Sequence, residues 1–231
     1  PAGRAMLPAM RRRTLLATPA LLGAGDAPLD LLLVLATDAS GSISGEEFAL
    51  QREGYAEALT SAPVLSALAA KRRGIGVALV EWGSPGGAAT VVPWMRVAGP
   101  ADARALAEAI LAAPRSRQSW NAIGDALAHA HALLDAAPWA AAQRVVDLSG
   151  DGPDMRPLIA APAARDALVA AGVTVNALAI AAEHQVTRGG EPLAEHYRRD
   201  VAGGVGAFVV TAEDRRDLLR ALRIKLVREM A

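Results

Sequence analysis

The sequence contains no cysteine, few aromatic residues and no excess charge of either sign. Phe, Trp and Tyr together make up 3% of its 231 residues. The lack of cysteine excludes disulfide bonds, thiolate zinc sites and cysteine nucleophiles in this chain. The 24 basic residues balance the 24 acidic ones, so the net charge at pH 7 is zero. This balance does not indicate a nucleic-acid partner or an anionic membrane surface.

Long hydrophobic runs are also absent, and the first apolar run lies near the amino terminus. Arginines at positions 11–13 precede the apolar residues 15–22, and small residues follow up to Ala27. This order is typical of an export signal, and the run is too short to span a bilayer as a helix. The arginine pair also resembles a twin-arginine signal. We predict an export signal or disordered terminus over residues 1–27, a periplasmic or extracellular location, and no transmembrane span in the mature chain. The alternative is a disordered basic terminus of a cytoplasmic protein.

Residues 28–231 alternate between predicted strands and predicted helices, with no linker or internal repeat to divide them. Hydrophobic residues make up 52% of the chain, enough for a sizeable core. The alternation predicts one α/β domain with a doubly wound, mostly parallel sheet and helices on both faces. A turn-rich segment, residues 83–87, joins two predicted strands and indicates one antiparallel edge strand. Ser44 and Glu47 form a capping-box pattern, after which helical periodicity predicts one helix over residues 46–68.

Oxygen-bearing side chains follow the predicted strands on three separate loops. Asp38, Ser40 and Ser42 come directly after a buried apolar strand, Asn121 lies in a middle loop, and Asp151 follows a later strand. The carboxyl ends of parallel strands share one edge of a sheet, so these loops are expected to converge. Carboxylate, hydroxyl and amide oxygens suit Mg²⁺ or Mn²⁺. For the first loop alone, the simpler interpretation is a polar turn that caps the next helix.

The first and third loops resemble a known family. Residues 38–42, Asp-Ala-Ser-Gly-Ser, resemble the Asp-x-Ser-x-Ser element of the metal-ion-dependent adhesion site (MIDAS) of von Willebrand factor type A (VWA) domains. Residues 149–152 resemble the family's Asp-Gly element, and residues 144–153 and 196–210 are similar to a bacterial exported branch of unknown function. The resemblance covers residues 29–229. It implies a Rossmann-like VWA fold with the aspartates and serines of these loops as metal ligands.

The middle loop departs from the family pattern. Where the family has a threonine, this sequence has Asn121, with Ser119 nearby as a further candidate ligand. An asparagine carbonyl and a serine hydroxyl can both bind a hard cation. Because asparagine is longer than threonine, we expect a somewhat different site geometry. We predict Asn121 as a ligand.

Two classes of function fit these residues. The resemblance implies a non-enzymatic binding module, in which an Asp or Glu of a protein partner completes the shell of the bound cation. Trp120 and Asp154 are then candidates for the contact rim. The alternative is a Mg²⁺-dependent hydrolase, such as a phosphatase, that uses the same carboxylates. Such an enzyme needs a basic clamp and a positioned base. The loops contain neither, although Arg115 and Arg156 lie nearby in the sequence.

Overall fold

The computed structural model describes residues 27–180, 187, 189–213 and 215–230. The predicted export signal lies outside these residues, except for Ala27. Within the described ranges, no helix is both long enough and apolar enough to cross a membrane. In chain order, the elements are β1 (Leu29–Asp38), α1 (Gly45–Thr60), α2 (Ala62–Ala70), β2 (Ile75–Trp82), β3 (Ala89–Val97), α3 (Pro100–Ala112), α4 (Ile123–Asp135), β4 (Ala141–Gly150), α5 (Ala161–Ala170), β5 (Thr174–Ile180), α6 (Leu193–Asp200), β6 (Val209–Ala212) and α7 (Arg215–Glu229).

The six strands form one sheet in the order β3-β2-β1-β4-β5-β6. All neighbouring strands pair in parallel except β2 and β3, which pair antiparallel at one edge. The predicted doubly wound sheet with an antiparallel edge strand is therefore confirmed. Helices α1, α3 and α7 contribute to the core on one face, and α4, α5 and α6 contribute to the core on the other.

Strand β1 lies in the middle of the sheet and is buried on both faces. Its leucines at positions 31, 33 and 35 pack into the core beneath α1, α3 and α7. Leu32, Val34 and Ala36 pack into the core on the opposite face. Successive side chains of a strand point to opposite faces, so a strand covered on both sides needs an unbroken apolar run. The run continues until Thr37 and Asp38, where the strand reaches the edge that carries the predicted site.

The predicted helix over residues 46–68 is wrong in one respect, because it is two helices. Helix α1 begins with the predicted capping box: Ser44 Oγ accepts from Glu47 N at 3.2 Å, and Ser44 N donates to Glu47 Oε2 at 2.9 Å. It ends at Ser61, whose backbone is extended with ψ 149°, and Pro63 lies in the first turn of α2. Proline has no amide hydrogen for the i to i−4 ladder but is well tolerated in the first turn of a helix, so a new helix begins there.

Both edges of the sheet are short or irregular. Strand β3 contains the exposed Pro93, and its register with β2 shifts twice, between Val77 and Leu79 and between Leu79 and Val80. At the other edge, β6 has only four residues. Neither edge presents a long, regular ladder of free backbone groups.

Candidate metal centre

The predicted ligand loops meet at the carboxyl edge of the sheet, as expected. Asp38 is the last residue of β1, and Asp151 directly follows the neighbouring parallel strand β4. The backbone N–H of Asp151 donates to Asp38 Oδ2 at 3.3 Å. Ser42 Oγ donates to Asp151 Oδ2 at 3.0 Å. The first and third loops are thus in direct contact through three of their predicted metal ligands.

The oxygens of the first loop form a chain that leads from the interior to the surface. Asp38 Oδ1 accepts from the backbone N–H of Ser40 at 2.8 Å, which fixes the carboxylate at the start of the loop. Ser40 Oγ and Ser42 Oγ share a hydrogen bond of 2.9 Å. Asp38 and Ser40 are buried, whereas Ser42 is exposed. A cation at this edge would therefore bind to buried and exposed oxygens at once, with its outer side toward solvent.

The electrostatics of the pair Asp38 and Asp151 favour a positive charge between them. Burial, and after it the negative charge of Asp151, raise the pKa of Asp38 from 3.8 to about 7. Among the described residues, no basic side chain forms an ion pair with either carboxylate. A buried carboxylate and a neighbouring, partly buried one repel each other unless a proton or a cation compensates them.

Asn121 of the middle loop has a buried side-chain oxygen and lies beside the third loop. Its side chain is buried, and its Oδ1 has no hydrogen-bond partner among the described residues. Its Nδ2 packs so closely against Gly152 that a Cβ at that glycine would clash with it. Asn121 therefore lies against the Asp-Gly element. A buried amide oxygen without a partner is costly, and a cation is a ligand that would satisfy it.

The donor set fits a hard divalent cation. Within the described ranges, no group of three or more His, Asp or Glu side chains is placed to hold a metal ion, so a cation here would depend on neutral oxygens as well as carboxylates. Carboxylates from two loops, two hydroxyls and one amide oxygen meet that requirement. The residues that would hold Mg²⁺ or Mn²⁺ are Asp38, Ser40, Ser42, Asn121 and Asp151.

Ser119 is not brought to the other predicted ligands through its side chain. Its hydroxyl shares a hydrogen bond of 3.1 Å with Ser84 Oγ. Its backbone carbonyl instead accepts from Gly41 N at 3.0 Å. A Cβ at Gly41 would lie 3.1 Å from that carbonyl oxygen, so the close approach favours glycine. Ser119 thus joins the middle loop to the Asp-x-Ser-x-Ser loop through its backbone.

Trp120 and Asp154 flank the site in different ways. Trp120 is 39% exposed, and the guanidinium of Arg156 lies 4.1 Å from the centre of its ring. Asp154 accepts hydrogen bonds at the amino ends of two helices, from Ile123 N at 2.8 Å and from Ala161 N at 2.9 Å. Partial burial raises the pKa of Asp154, although these N–H donors act in the opposite direction. Its carboxylate positions α4 and α5 beside the site.

Arg115 braces the first loop, a role that its sequence position did not reveal. Its Nη2 donates to the backbone carbonyls of Ile43 at 2.7 Å and Ala39 at 3.2 Å. Its guanidinium also lies 4.5 Å from the ring centre of Phe48. These contacts join positions more than 65 residues apart in the sequence, and no local pattern marks them. Arg115 stabilises the backbone from which the ligands project.

Comparison with known proteins places the chain in a family. The model of a family described as protein of unknown function, DUF1194, matches residues 28–231. The chain belongs to the DUF1194 family. No curated protein matches the sequence.

Solved structures share the fold of this DUF1194 domain at low sequence identity. The pilus adhesin SpaC from Lactobacillus rhamnosus GG is 14% identical with a TM-score of 0.64, over 87% of this chain and 30% of that one. Proximal thread matrix protein 1 from the mussel byssus, solved with a zinc-occupied MIDAS motif, is 18% identical with a TM-score of 0.59, over 86% and 46%. A von Willebrand factor type A protein from Catenulispora acidiphila is 20% identical with a TM-score of 0.61, over 87% and 43%.

These matches confirm the VWA resemblance at the level of the fold. The DUF1194 chain covers less than half the length of each of these three proteins. The likeness is in the Rossmann-like α/β fold. In this chain the Asp-x-Ser-x-Ser loop directly follows β1 of that fold.

Proposed function

We propose that this domain binds Mg²⁺ or Mn²⁺ at the five oxygen-bearing residues of the candidate site, and through that cation binds an acidic side chain of a protein partner. The observation that carries the proposal is the buried Asp38, which faces Asp151 with no basic partner among the described residues. When bound, the cation offsets these negative charges and accepts a carboxylate at a position that the chain leaves open.

The surroundings of the site support protein binding. Ser42 is exposed and Trp120 is partly exposed, so an incoming side chain has access from solvent. The solved structures of similar fold include a pilus adhesin and a thread matrix protein with a zinc-occupied MIDAS motif. Trp120 and Asp154 form the contact rim in this proposal. We also propose that the protein is exported, because basic residues at positions 11–13 precede the short apolar run at 15–22, as in an export signal.

The alternative of a Mg²⁺-dependent hydrolase is not favoured by the contacts described. Arg115 donates to carbonyls of the protein itself, and Arg156 stacks on Trp120. Neither arginine contacts Asp38 or Asp151. Ser149, the hydroxyl beside the third loop, is buried and hydrogen-bonded to Tyr55 at 2.6 Å. Burial also raises the pKa of that tyrosine well above its ordinary value.

Metal binding is tested by calorimetric titration of Mg²⁺ into the protein after chelator treatment. We expect one ion per chain in the wild type and none in Asp38→Ala or Asp151→Ala. Asn121→Thr introduces the middle-loop residue of the VWA pattern and is expected to keep or tighten binding. Asp166→Asn, an exposed acid on α5 away from the site, is the matched control and should bind like the wild type. Equal binding in wild type and Asp38→Ala would contradict the metal assignment.

Partner binding is tested by affinity capture from the producing cell in Mg²⁺, followed by elution with chelator. We expect to recover a partner that presents an Asp or Glu to the site. Replacing that residue by its amide should weaken the free energy of binding by about 2–5 kcal/mol, as for removal of one member of a buried charge pair. Partner binding that persists undiminished in excess chelator would show that the cation does not bridge the two proteins. Hydrolysis of generic phosphate esters, lost in Asp38→Ala, would favour the hydrolase instead.

A further inference from the structure

A cleft of about 680 Å³ opens beside the candidate metal centre. One wall is formed by Trp120, Met155 and Arg156. Trp120 directly precedes Asn121, and the segment carrying Arg156 begins at Asp151. The cleft is therefore continuous in sequence with two of the three ligand loops. A partner segment bound at the metal could therefore also contact the cleft wall formed by Trp120, Met155 and Arg156.

Arg156 is the charged group of the cleft that has no acidic partner among the described residues. Of the other charged side chains of the cleft, Arg199 pairs with Glu191 and with Asp200, the latter at 2.6 Å, and His196 also contacts Asp200 at 2.9 Å. The carboxylate of Asp154 has no basic partner among the described residues and accepts hydrogen bonds from backbone N–H groups. The guanidinium of Arg156 instead lies over the ring of Trp120 at 4.1 Å. Stacking uses the flat face of a guanidinium and leaves its edge N–H groups free, and this edge matches a carboxylate.

The backbone of Arg156 adopts a strained conformation where its side chain stacks on Trp120. Its φ of 54° is the one left-handed value among the described residues other than glycine. Such strain persists only where the surroundings fix the chain, and it clusters at ligand-binding segments. The fixing contacts are present: Met155 N donates to the carbonyl of Asn121 at 2.7 Å, and Tyr197 OH donates to the carbonyl of Gly152 at 2.9 Å. The loop is held firmly on both sides of Asp154, and the side chain that follows is directed onto Trp120.

We propose that Trp120 and Arg156 form a second carboxylate subsite, so that the partner presents two acidic side chains on one short extended segment. This inference rests on the proposed function, because the first acid binds the cation and the second pairs with the edge of the Arg156 guanidinium. Trp120 holds that guanidinium flat and reduces its freedom, which lowers the entropic cost of the second contact. The partner is thus a diacidic peptide segment, recognised by one metal ion and one arginine.

The test uses a displayed library of nine-residue peptides with a fixed central Asp and random flanking positions. The full chain selects binders in Mg²⁺, and chelator elutes them. We expect a second Asp or Glu to be enriched at one flanking position. For a selected peptide, replacement of the second acid by its amide should weaken binding by about 10-fold or more, the usual effect of a charge-assisted hydrogen bond. The same replacement should change binding to Arg156→Gln by less than twofold.

Matched variants separate this subsite from general effects of charge and folding. Arg117→Gln removes an exposed arginine from the neighbouring loop and should keep the preference for a second acid. Trp120→Leu should weaken that preference while chelator still elutes the bound peptides. Thermal unfolding of each variant shows whether its fold is intact. Arg156→Lys should keep part of the preference for a second acid, because lysine retains the positive charge but lacks the paired N–H groups of the guanidinium.

The outcomes distinguish the two proposals. Chelator-eluted binders with only the central acid would overturn the second subsite and leave the metal-bridged contact in place. Enrichment of a second acid to the same degree by Arg156→Gln would also overturn it, as would enrichment of an aromatic residue in its place. Absence of any chelator-eluted binder would overturn both proposals. A double-mutant cycle with coupling confined to Arg156 and the second acid would support the subsite.

Discussion

Three buried carboxylates lie on three adjacent strands, and among the described residues two of them pair with a basic side chain whereas the third does not. Glu81 on β2, Asp147 on β4 and Asp38 on β1 are each 0% exposed. Glu81 pairs with Arg52 of α1 at 2.6 Å, and Asp147 pairs with Lys225 of α7. Asp38, on the strand between them, has a second carboxylate as its charged neighbour and no basic partner among the described residues.

The presence or absence of a basic partner separates the acids that support the fold, Glu81 and Asp147, from the acid of the candidate metal centre, Asp38. Burial of an unpaired charge is expensive, and a protein avoids the cost by pairing or neutralising the group. In the core beneath α1 and α7, the chain provides its own cations. At the carboxyl edge of the sheet it provides hydroxyls, an amide oxygen and access to solvent, so the compensating cation would come from outside. The acid that the chain does not compensate is therefore the one that indicates function.

Removal of a structural cation should have the largest effect on stability. In Arg52→Met, Glu81 would remain charged and buried, with one oxygen still bound to Ser116 N. We expect the free energy of unfolding to fall by about 3–5 kcal/mol, the usual cost of breaking a buried pair. Urea denaturation with and without Mg²⁺ provides the measurement, and Mg²⁺ should not restore the loss.

The control for this prediction is the double variant Arg52→Met/Glu81→Gln. It removes the uncompensated charge along with the cation and should recover part of the lost stability. If Arg52→Met unfolded at the same urea concentration as the wild type, the buried pair would not matter to stability. The contrast between paired and unpaired acids would then lose its energetic basis.

Neutralising Asp38 should raise the free energy of unfolding when no metal is present, whereas Arg52→Met lowers it. In chelator, Asp38→Asn is expected to raise the free energy of unfolding near pH 8 by about 2 kcal/mol, because it removes a buried charge that Asp151 repels. With Mg²⁺ at 100 times its Kd the order reverses, since the wild type gains about 2.7 kcal/mol from binding and the variant gains nothing. Thermal unfolding under both conditions tests the reversal.

The pH dependence sharpens the same comparison. Burial raises the pKa of Asp38 to about 7 from 3.8, so between these values the folded chain binds a proton that the unfolded chain has released. Without metal, this contribution to stability is complete below pH 3.8 and is lost as the pH rises through 7. The difference between wild type and Asp38→Asn should therefore be small at pH 4 and largest above pH 7. A difference that stayed constant with pH would contradict the burial argument.

The smallest expected effect concerns Arg156. Its φ of 54° strains any residue with a Cβ, so Arg156→Gly should be more stable than Arg156→Ala by about 1 kcal/mol. Both variants lose the guanidinium and its contact with Trp120, so the difference isolates the backbone. Equal unfolding temperatures for the two variants would show that the left-handed conformation carries no cost.

The sequence predicts the parts of this molecule that follow from short-range pattern. The apolar run of β1 predicts a doubly buried strand, and parallel strand ends bring Asp38 and Asp151 together. Apolar spacing alone predicts one continuous helix over α1 and α2, and the break between them is indicated in the sequence only by Pro63. No pattern predicts the contacts of Arg115 with the first loop or of Asp154 with two helices, since they depend on loops that meet only after folding. Lys225 is harder still, because a lysine on an amphipathic helix is expected to face solvent.

Pro93 has a consequence for how the protein behaves at high concentration. It lies in the antiparallel edge strand, next to a region where the register shifts. An edge strand invites a strand from another molecule to extend the sheet, and this is one origin of aggregation. A proline lacks the amide hydrogen that such a strand would need to pair with, and an irregular register displaces its neighbours. Pro93 and the irregular register therefore disfavour extension of the sheet at β3 by a strand of another copy.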